Sequence, residues 1–557
     1  AESLRAAGFR TGAFVSSIVL SSQSGLGRGF ETYDDRFEGE SSDVRFLNTI
    51  QKRGDRTLEP ALRWLEDNRQ GSRLFAWIHL YDPHDPYEPP EPYASRYAAR
   101  PYDGEVAWSD ELVGRLDAAL GRLGLRPDTL LVVTSDHGEG LGEHGETVHG
   151  FFVYQTTLAV PLILRGPGVV PGGRLGVTAR TIDVLPTAME LLGLPLPAGM
   201  TPSGRSLAAA LRGEVSLAED PTYAESLLPL LHFGWSDLRA LREGRWKYVQ
   251  APRPELYDLQ QDPGETRNLA GIQPARAEAM REALGRRMAR ERAVSEAAPG
   301  AAGVPPDLLE KLGALGYLGA GAPAHSSAPG ADPKDKIEEF KVANRLIREG
   351  LIALRENDAP GSARRFRELL SRGIESFEVH YYLARALLRQ GSFREAATHL
   401  EGALRYQPAY SAAHRALAEA RVALGDRRGA IAALRRGREA APRDALLRIR
   451  LGELLRDQGE ISAAAAVMRE AVSLDPGPAS YWNALGMVLG AAGELPEAEA
   501  AFRKAFERED TSAQYAYNLG LVLERQGRPS EALPQYRRAL ELEPGFRAAR
   551  ERLRQGR

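Results

Sequence analysis

The chain has 557 residues, which is too long for one hydrophobic core, so we expect two or three domains. A formal net charge of -3 argues against a nucleic-acid partner and against a polybasic membrane patch. Because the sequence contains no cysteine, disulfides and cysteine-based chemistry within it are excluded. It also shows no apolar run long enough to span a bilayer and no signal peptide.

The first third of the chain alternates predicted strands and helices. A strand is predicted at Thr11–Ser16, an amphipathic helix at Ser42–Asn68, and a buried strand at Leu74–Leu80. The last strand leads into a turn that carries Asp82 and His84 between prolines. Because proline fixes its backbone, we expect this turn to hold its polar side chains in defined directions.

A second strand is predicted to end in a polar pair. The helix Asp103–Leu123 leads to Leu130–Val133, whose apolar and β-branched run predicts a buried parallel strand, followed by Asp136 and His137. Strand, helix and strand would form one βαβ unit, with both polar ends at the same sheet edge. A carboxylate beside a neutral imidazole is half of a divalent metal site. A polar surface turn is the alternative.

Further along, the pattern changes toward short strands and turns. Val160–Leu164 is a predicted strand and Thr181–Leu192 a helix broken near Pro186. From about residue 222 to 272, short apolar runs separated by turn residues predict a small antiparallel sheet.

Five collinear segments resemble the sulfatase family of the alkaline-phosphatase-like superfamily. They are FAWIHLYDPHDPY, YDGEVAWSDELVGRL, TSDHGEGLGEHGETVHG, VPLI and RALREGRWKYVQAPRPELYDLQQDPGETRNLA. The resemblance implies an α/β sulfatase-like sandwich over residues 1–272, with the small antiparallel subdomain at its end. It also implies a bacterial-type hydrolase of sulfate esters that acts on a sulfated small molecule or glycan.

The resemblance further implies roles for individual residues. Asp136 and His137 match the later ligand pair of one divalent cation, usually calcium, with magnesium or manganese as alternatives. His84 matches the histidine that contacts the sulfate or protonates the leaving oxygen. His149 stands where the family has a basic residue, often lysine, and is expected to be catalytic and to bind substrate; a packed loop histidine is the alternative. His232 is expected in a wall of the substrate pocket.

The family nucleophile is a formylglycine made from a C/S-x-P-x-R segment, and no such segment occurs here. The simplest interpretation is that the chain begins inside a catalytic domain and is inactive by itself. Two alternatives stay open. One is a phosphodiester or phosphonate hydrolase, or a phosphoglycerol transferase, of the same superfamily; the other is an inactive hydrolase fold that serves as an adaptor. Localisation is not readable, although the family is often periplasmic, secreted or membrane-anchored.

Residues 273–342 are predicted to be a helix followed by a Pro/Gly/Ala-rich linker. From residue 343 to 546 the chain repeats every 34 residues, which is the tetratricopeptide period. The repeated turn glycines are Gly391, Gly425, Gly459, Gly493 and Gly527. Gly350 and Phe366 are predicted as the turn and packing positions of a degenerate first repeat, and residues 547–557 as a capping helix.

Tetratricopeptide arrays usually bind peptides or proteins on their concave face, so we expect a protein or peptide partner. The side chains predicted to project there are Tyr381, Arg385, Arg389, Asn483 and Tyr517. A solvated face without a ligand is the alternative, because no charge pattern recurs from repeat to repeat.

Overall fold

The computed structural model describes residues 1–17, 20, 22, 25–36, 52–197, 200, 202–297, 330–442 and 444–555. The chain divides into two compact units. Unit 1 comprises residues 1–302 and 311–348, and unit 2 comprises residues 303–310 and 349–557. Within the described residues, no helix is both long and apolar enough to cross a membrane.

Unit 1 is a mixture of strands and helices. Its strands are β1 Phe9–Phe14, β2 Thr32–Asp34, β3 Arg73–Ile78, β4 Leu131–Thr134, β5 Leu162–Arg165, β6 Thr222–Ser226, β7 Leu238–Glu243, β8 Trp246–Gln250 and β9 Glu255–Asp258. Its helices are α1 Glu2–Ala6, α2 Gly54–Asn68, α3 Tyr93–Arg96, α4 Pro101–Arg122, α5 Gln155–Leu158, α6 Val184–Leu191, α7 Ala208–Leu211, α8 Leu228–Phe233 and α9 Pro274–Ala297.

A parallel sheet with strand order β2-β1-β3 lies at the start of unit 1. Helix α2 packs on it through Trp64 and Leu65, which form a buried cluster with Phe14 and with Leu120 of α4. Gly12 of β1 allows this approach, because a Cβ there would lie 2.9 Å from the Trp64 ring. The carboxyl end of β3 is thereby fixed against two helices, and the turn with His84 follows it.

The prediction that Leu130–Val133 pairs as a parallel strand is wrong. The strand β4 pairs antiparallel with β5, with Val133 opposite Ile163, and among the described residues no ladder joins β3 to β4. The expected βαβ unit is therefore not formed by hydrogen bonds. An apolar, β-branched run indicates a strand, but it does not fix the direction of the neighbouring strand.

The predicted small antiparallel sheet is present, with strand order β6-β7-β8-β9. Its side chains alternate between two faces, as strand geometry requires. Tyr248 and Leu256 pack against Leu284 of α9 on one face. On the other face, Val249 and Tyr257 join a cluster that contains the aromatic run Phe151–Tyr154. The sheet therefore supports the loop that precedes α5.

Unit 2 is all helical. The helix α10 Ile337–Arg355 runs from unit 1 into it, and the further helices are α11 Ala359–Ser371, α12 Phe377–Arg389, α13 Phe393–Tyr406, α14 Ser411–Ala423, α15 Arg427–Ala440, α16 Ala445–Asp457, α17 Ile461–Leu474, α18 Ala479–Ala492, α19 Leu495–Arg508, α20 Ala513–Arg525, α21 Pro529–Leu542 and α22 Arg547–Gln555.

The glycines of the 34-residue register lie at the predicted turns, with φ between +73° and +85° from Gly391 to Gly527. The prediction for the first repeat is wrong in one position. Gly350 lies inside α10, and the turn residue is Asn357, which has φ +63° and occupies the same register. Asparagine tolerates this left-handed conformation better than most residues do. Phe366 packs as predicted: it is fully buried, and its ring lies so close to Gly350 that a Cβ there would overlap it.

Candidate active site

Three of the predicted site histidines meet in unit 1. The ring centroids of His137 and His149 are 3.8 Å apart in a stacked arrangement, and His84 lies 5.1 Å from His149 and 6.4 Å from His137. They come from two segments, which are the turn after β3, carrying His84, and the loop between β4 and α5, carrying His137 and His149. Tertiary structure therefore brings together residues that the sequence motifs only place in order.

Asp136 and His137 present one oxygen and one nitrogen donor side by side. His137 Nδ1 donates to the carbonyl of Gly138 at 3.0 Å, so in the neutral ring Nε2 carries the lone pair. This Nε2 lies 3.6 Å from Asp136 Oδ2. Desolvation acts to raise the pKa of Asp136, but His137 and two backbone amides outweigh it and the pKa is lowered. The carboxylate is therefore ionised at neutral pH.

This donor pair suits a divalent cation, because an anionic oxygen and an imidazole nitrogen are both metal ligands. Among the described residues, no group of three or more His, Cys, Asp or Glu side chains is arranged to hold a metal ion. The chain thus offers two ligands with suitable chemistry. A calcium shell needs about six to eight oxygens, so the pair alone would not complete it.

His149 is oriented by a buried acid. Its Nδ1 donates to Glu139 Oε1 at 2.8 Å, and the Glu139 side chain is only 3% exposed. Burial acts to raise the pKa of Glu139, but the hydrogen bond and charge of His149 outweigh it and lower the pKa. With Nδ1 held by the carboxylate, Nε2 is the free ring atom of His149. The motif reasoning did not assign this role to Glu139.

His84 is held in a neutral form. Its Nδ1 donates to the carbonyl of Asp85 at 2.7 Å, and Nε2 lies 3.1 Å from the hydroxyl of Tyr81, whose ring stacks on the imidazole. Burial lowers the pKa of His84, so the ring is uncharged at neutral pH and the Tyr81 hydroxyl donates to Nε2. The only N–H proton of the His84 ring then faces the backbone carbonyl of Asp85. His84 can donate a proton to a substrate only if this hydrogen bond changes.

Two further polar groups near this turn, Glu105 and His79, were missed by sequence reasoning. Glu105 of α4 accepts hydrogen bonds from the amides of His84 at 3.1 Å and Glu88 at 2.7 Å, and burial raises its pKa to about 7. His79 lies just after β3, where the Ser16 amide is 3.4 Å from its Nδ1, and burial lowers its pKa to about 4. The acid at position 105 lies inside the quoted helix motif, but nothing in its spacing reveals this contact.

The remaining predicted site residue of unit 1, His232, lies outside the ring cluster, and a further histidine, His144, has a packing role. His232 lies in α8, where its ring is 6.3 Å from that of Phe233, and no ring contact joins it to the three clustered histidines. His144 stacks on Tyr154 at 3.7 Å with φ +54°, and its Nε2 donates to the Gly264 carbonyl at 3.1 Å.

A cavity of about 2120 Å³ opens beside Asp136 and His137. Arg180, Arg239 and Lys247 are among the residues of its wall. Each of these cations is paired with a carboxylate, so none of the three leaves an unpaired positive charge in the wall. The space exceeds that of a typical pocket for one small molecule.

The predicted concave-face residues of unit 2 are mostly used in packing. Tyr381 does not project as predicted, because it is only 6% exposed and lies between Phe377 and Tyr410. Arg385 is half-buried on the same helix, and Arg389 donates to the carbonyl of Leu354. In later repeats, Asn483 accepts from Asn518 at 2.7 Å, and Tyr517 packs against Tyr536 and Phe546.

Comparison with known proteins agrees with this architecture. Residues 1–194 match the sulfatase family, and residues 142–293 match the C-terminal domain of N-sulphoglucosamine sulphohydrolase. Tetratricopeptide repeats match residues 347–411, 387–451, 446–478 and 477–543. The N-terminal part of the chain is thus a sulfatase-family region, and multiple tetratricopeptide repeats follow it. The predicted fold class, an α/β sulfatase-like part followed by a helical repeat array, is confirmed.

Individual relatives cover only part of the chain. Arylsulfatase K of Xenopus laevis is 32% identical over 198 residues, which are 33% of this chain and 35% of that protein. Choline-sulfatase of Rhizobium meliloti is 38% identical over 179 residues, which are 31% and 33% respectively. A solved complex with its substrate D-glucosamine-2-N,6-O-disulfate has 19% identity and a TM-score of 0.42, covering 52% of this chain and 81% of that one. The chain spans about a third of the length of these two curated relatives.

Proposed function

We propose that this chain carries the cation-binding half of a sulfuric ester hydrolase site and a repeat array for a protein or peptide partner. The observation that carries the proposal is the meeting of His84, His137 and His149 beside Asp136, all on segments that match the sulfatase family. The substrate would be a sulfated small molecule or glycan, in keeping with the sulfatases that it resembles. The formylglycine nucleophile would come from residues outside this sequence.

In this proposal each residue has a separate task. Asp136 and His137 would hold one divalent cation, calcium, with magnesium or manganese as alternatives. The cation supplies positive charge that neutralises sulfate oxygens. His149, oriented by Glu139, would donate a hydrogen bond from Nε2 to a sulfate oxygen when the ring is protonated. His84 would contact the sulfate or the leaving oxygen once the Tyr81 hydroxyl turns away from its Nε2.

The first test is cation binding by the protein as its gene encodes it, because Asp136 and His137 alone would not complete a calcium shell. We expect calorimetry to show Ca²⁺ binding that Asp136→Ala weakens by at least about 100-fold, because loss of even a supporting group around a metal costs about 10- to 100-fold. Asp110→Ala, an exposed acid on α4, is the matched control and should leave the affinity unchanged. Unchanged calcium affinity in Asp136→Ala would remove the assignment of this pair as ligands.

The second test is the reaction, with the protein as its gene encodes it. An aryl sulfate and an aryl phosphodiester are assayed side by side, with and without a chelator. Chelator-sensitive sulfate release would support the proposal. Hydrolysis of the phosphodiester alone would place the protein among the phospho-ester enzymes of the superfamily. Hydrolysis of neither, together with no cation binding, would leave an inactive fold attached to a repeat adaptor.

A further inference from the structure

Residues 330–348, which we call the strap, pack against the rest of unit 1, although residues 330–342 fall within the predicted linker region 273–342. At its start, the carbonyls of Gly330 and Ala331 accept hydrogen bonds from the side chain and amide of Ser236 at 2.9 and 3.0 Å. Asp332 Oδ2 accepts from the Arg253 amide at 2.9 Å. Gly330 is packed so closely that a Cβ there would lie 2.7 Å from the backbone of Trp235. The strap is therefore a built part of unit 1.

The strap lies against the loop that carries His149. Phe340 is only 6% exposed, and its ring stacks on Phe151 with centroids 4.2 Å apart. At the other end of the same loop, Ile337 lies 3.0 Å from the point that a Cβ on Gly145 would occupy. The strap thus contacts the loop on both sides of His149. The loop has little internal regular structure, so these contacts restrict where it can lie.

Inside the loop, a buried acid connects the strap contact to the histidine. Glu146 is 1% exposed and accepts a hydrogen bond from the Phe151 amide at 2.8 Å. The Glu146 carbonyl accepts from Gly142, and the Val148 carbonyl accepts from Gly140 at 3.0 Å. These bonds fix the backbone immediately before His149. A displacement of Phe151 would therefore shift Glu146 and the segment that bears the imidazole.

The end of the strap reaches the other histidine-bearing segment. Arg348 Nη1 lies 3.3 Å from Asp85 Oδ2, and the carbonyl of this same Asp85 accepts the Nδ1 proton of His84. The Arg348 side chain is 61% exposed, so this ion pair is the weaker of the two contacts.

From these contacts we infer that Phe340 is a positioning residue for His149, and that Arg348 acts in the same way on His84. The inference rests on the proposed function, because it assigns the strap a role at that site. Phe340 touches no reacting group; it acts through Phe151 and Glu146. The competing interpretation is that Phe340 only fills a core and contributes stability without influencing the histidine.

A matched pair of cavity variants separates the two interpretations. Phe340→Ala removes the contact to the loop. Leu284→Ala removes a fully buried side chain of α9 on the opposite face of the small sheet, away from the loop. Both variants lose buried apolar contacts and are expected to lower the unfolding midpoint. Phe340→Leu keeps an apolar side chain in place and serves as the milder variant if Phe340→Ala does not fold.

The readout is the NMR spectrum of the full chain with its 10 histidines labelled at Cε1, recorded without cation or substrate. His149→Gln and His84→Gln assign the two signals. We expect Phe340→Ala to shift the His149 signal, Phe340→Leu to shift it less, and Leu284→Ala to leave it in place. Arg348→Ala should shift the His84 signal, whereas Arg345→Ala, an exposed arginine one turn earlier, should not.

A His149 signal that stays in place in Phe340→Ala and Phe340→Leu, while stability falls as in Leu284→Ala, would overturn the inference. Since the spectrum needs neither turnover nor bound calcium, this result is independent of the proposed function. Failure of calcium binding would remove the sulfatase proposal and leave the positioning result readable.

Discussion

The two units of this protein differ in how their packing contacts are distributed along the sequence. In unit 2, contacts between helices repeat every 34 residues, so that one rule describes many positions. In unit 1, the contacts that hold the site are single events between residues far apart in the sequence, such as His84 with His149 and Phe151 with Phe340. The first kind of packing can be read from spacing, and the second requires the tertiary structure.

The repeat unit also shows a rule of matched sizes. In each hairpin, a small residue of the first helix is followed 16 residues later by a large one in the second, and in the four glycine pairs a Cβ on the glycine would overlap the large side chain. The successive pairs are Gly350 with Phe366, Ala384 with Leu400, Ala418 with Leu434, Gly452 with Met468, Gly486 with Phe502 and Gly520 with Tyr536. Glycine occurs with the aromatic residues and methionine, and alanine occurs with leucine. A Cβ on Gly486 would lie 2.7 Å from the Phe502 ring.

The largest effect is expected from a buried pair in unit 1. The side chains of Lys247 and Glu265 are each 1% exposed and form an ion pair, and burial lowers the pKa of Lys247. Glu265→Gln should reduce the unfolding free energy by about 3–5 kcal/mol, because it leaves an uncompensated buried cation. Urea unfolding followed by circular dichroism measures this.

Glu278→Gln is the matched control for that prediction, because Glu278 pairs with Arg281 on the exposed surface of α9. It should leave the unfolding curve unchanged. A loss in Glu265→Gln no greater than in this control would mean that the unit tolerates changes at single contacts as well as the repeats do.

An intermediate effect is expected from the rule of matched sizes. Gly486→Ala should destabilise the repeats by about 1–3 kcal/mol through overpacking against Phe502. Adding Phe502→Leu recreates the pair found at Ala384 and Leu400, so it should restore most of the loss. Gly490→Ala on the same helix is the control, since a Cβ there would meet nothing closer than 3.5 Å. It should stabilise by about 0.5–1 kcal/mol.

No recovery in the double variant would show that the size rule does not govern packing. The measurement is urea unfolding of the full chain, with the transition of the repeats followed by helical circular dichroism.

The smallest expected effect is on how the unfolding free energy depends on pH. His380 Nδ1 and His399 Nδ1 are 3.0 Å apart, and burial lowers the pKa of both rings. Glu375 raises and Arg405 lowers the pKa of His380, and Glu395 raises and Arg367 lowers the pKa of His399, but burial has the largest effect on both.

The unfolded chain binds protons near the ordinary histidine pKa of about 6.5, while the folded pair stays neutral to lower pH. Stability is therefore fully present above that pKa and falls as the pH drops below it. Unfolding free energies at pH 7.5, 6.5 and 5.5 measure the slope. The double variant His380→Gln, His399→Gln should flatten it, and an equal slope in both proteins would contradict the prediction.

The same contrast explains what could be predicted from sequence. The motifs named Asp136, His137, His84 and His149 as candidate site residues, and the structure brings the three rings together. They could not reveal Glu139 as the partner of His149, because an acid in a glycine-rich loop has no periodic signal. The antiparallel partner of β4 was missed for a similar reason, since strand direction depends on a segment that returns from farther along the chain.

In the repeats, the error was of another kind. Gly350 was predicted as a turn because glycine marks the turns elsewhere, but it belongs to the size rule and not to the turn register. Asn357 fills the turn position, because asparagine is one of the few other residue types that adopt this conformation readily. Counting back 34 residues from Gly391 identifies it.

The matched pairs have a consequence for how such an array can change during evolution. Both members of each pair lie in one hairpin, the small residue in its first helix and the large one in its second. A gene crossover that falls between hairpins carries both members along, so the array can gain or lose a whole repeat without repacking. A crossover at the turn inside a hairpin can join an alanine helix to one that bears Phe502, or a glycine helix to one that bears Leu400. The first product is overpacked and the second is left with a void.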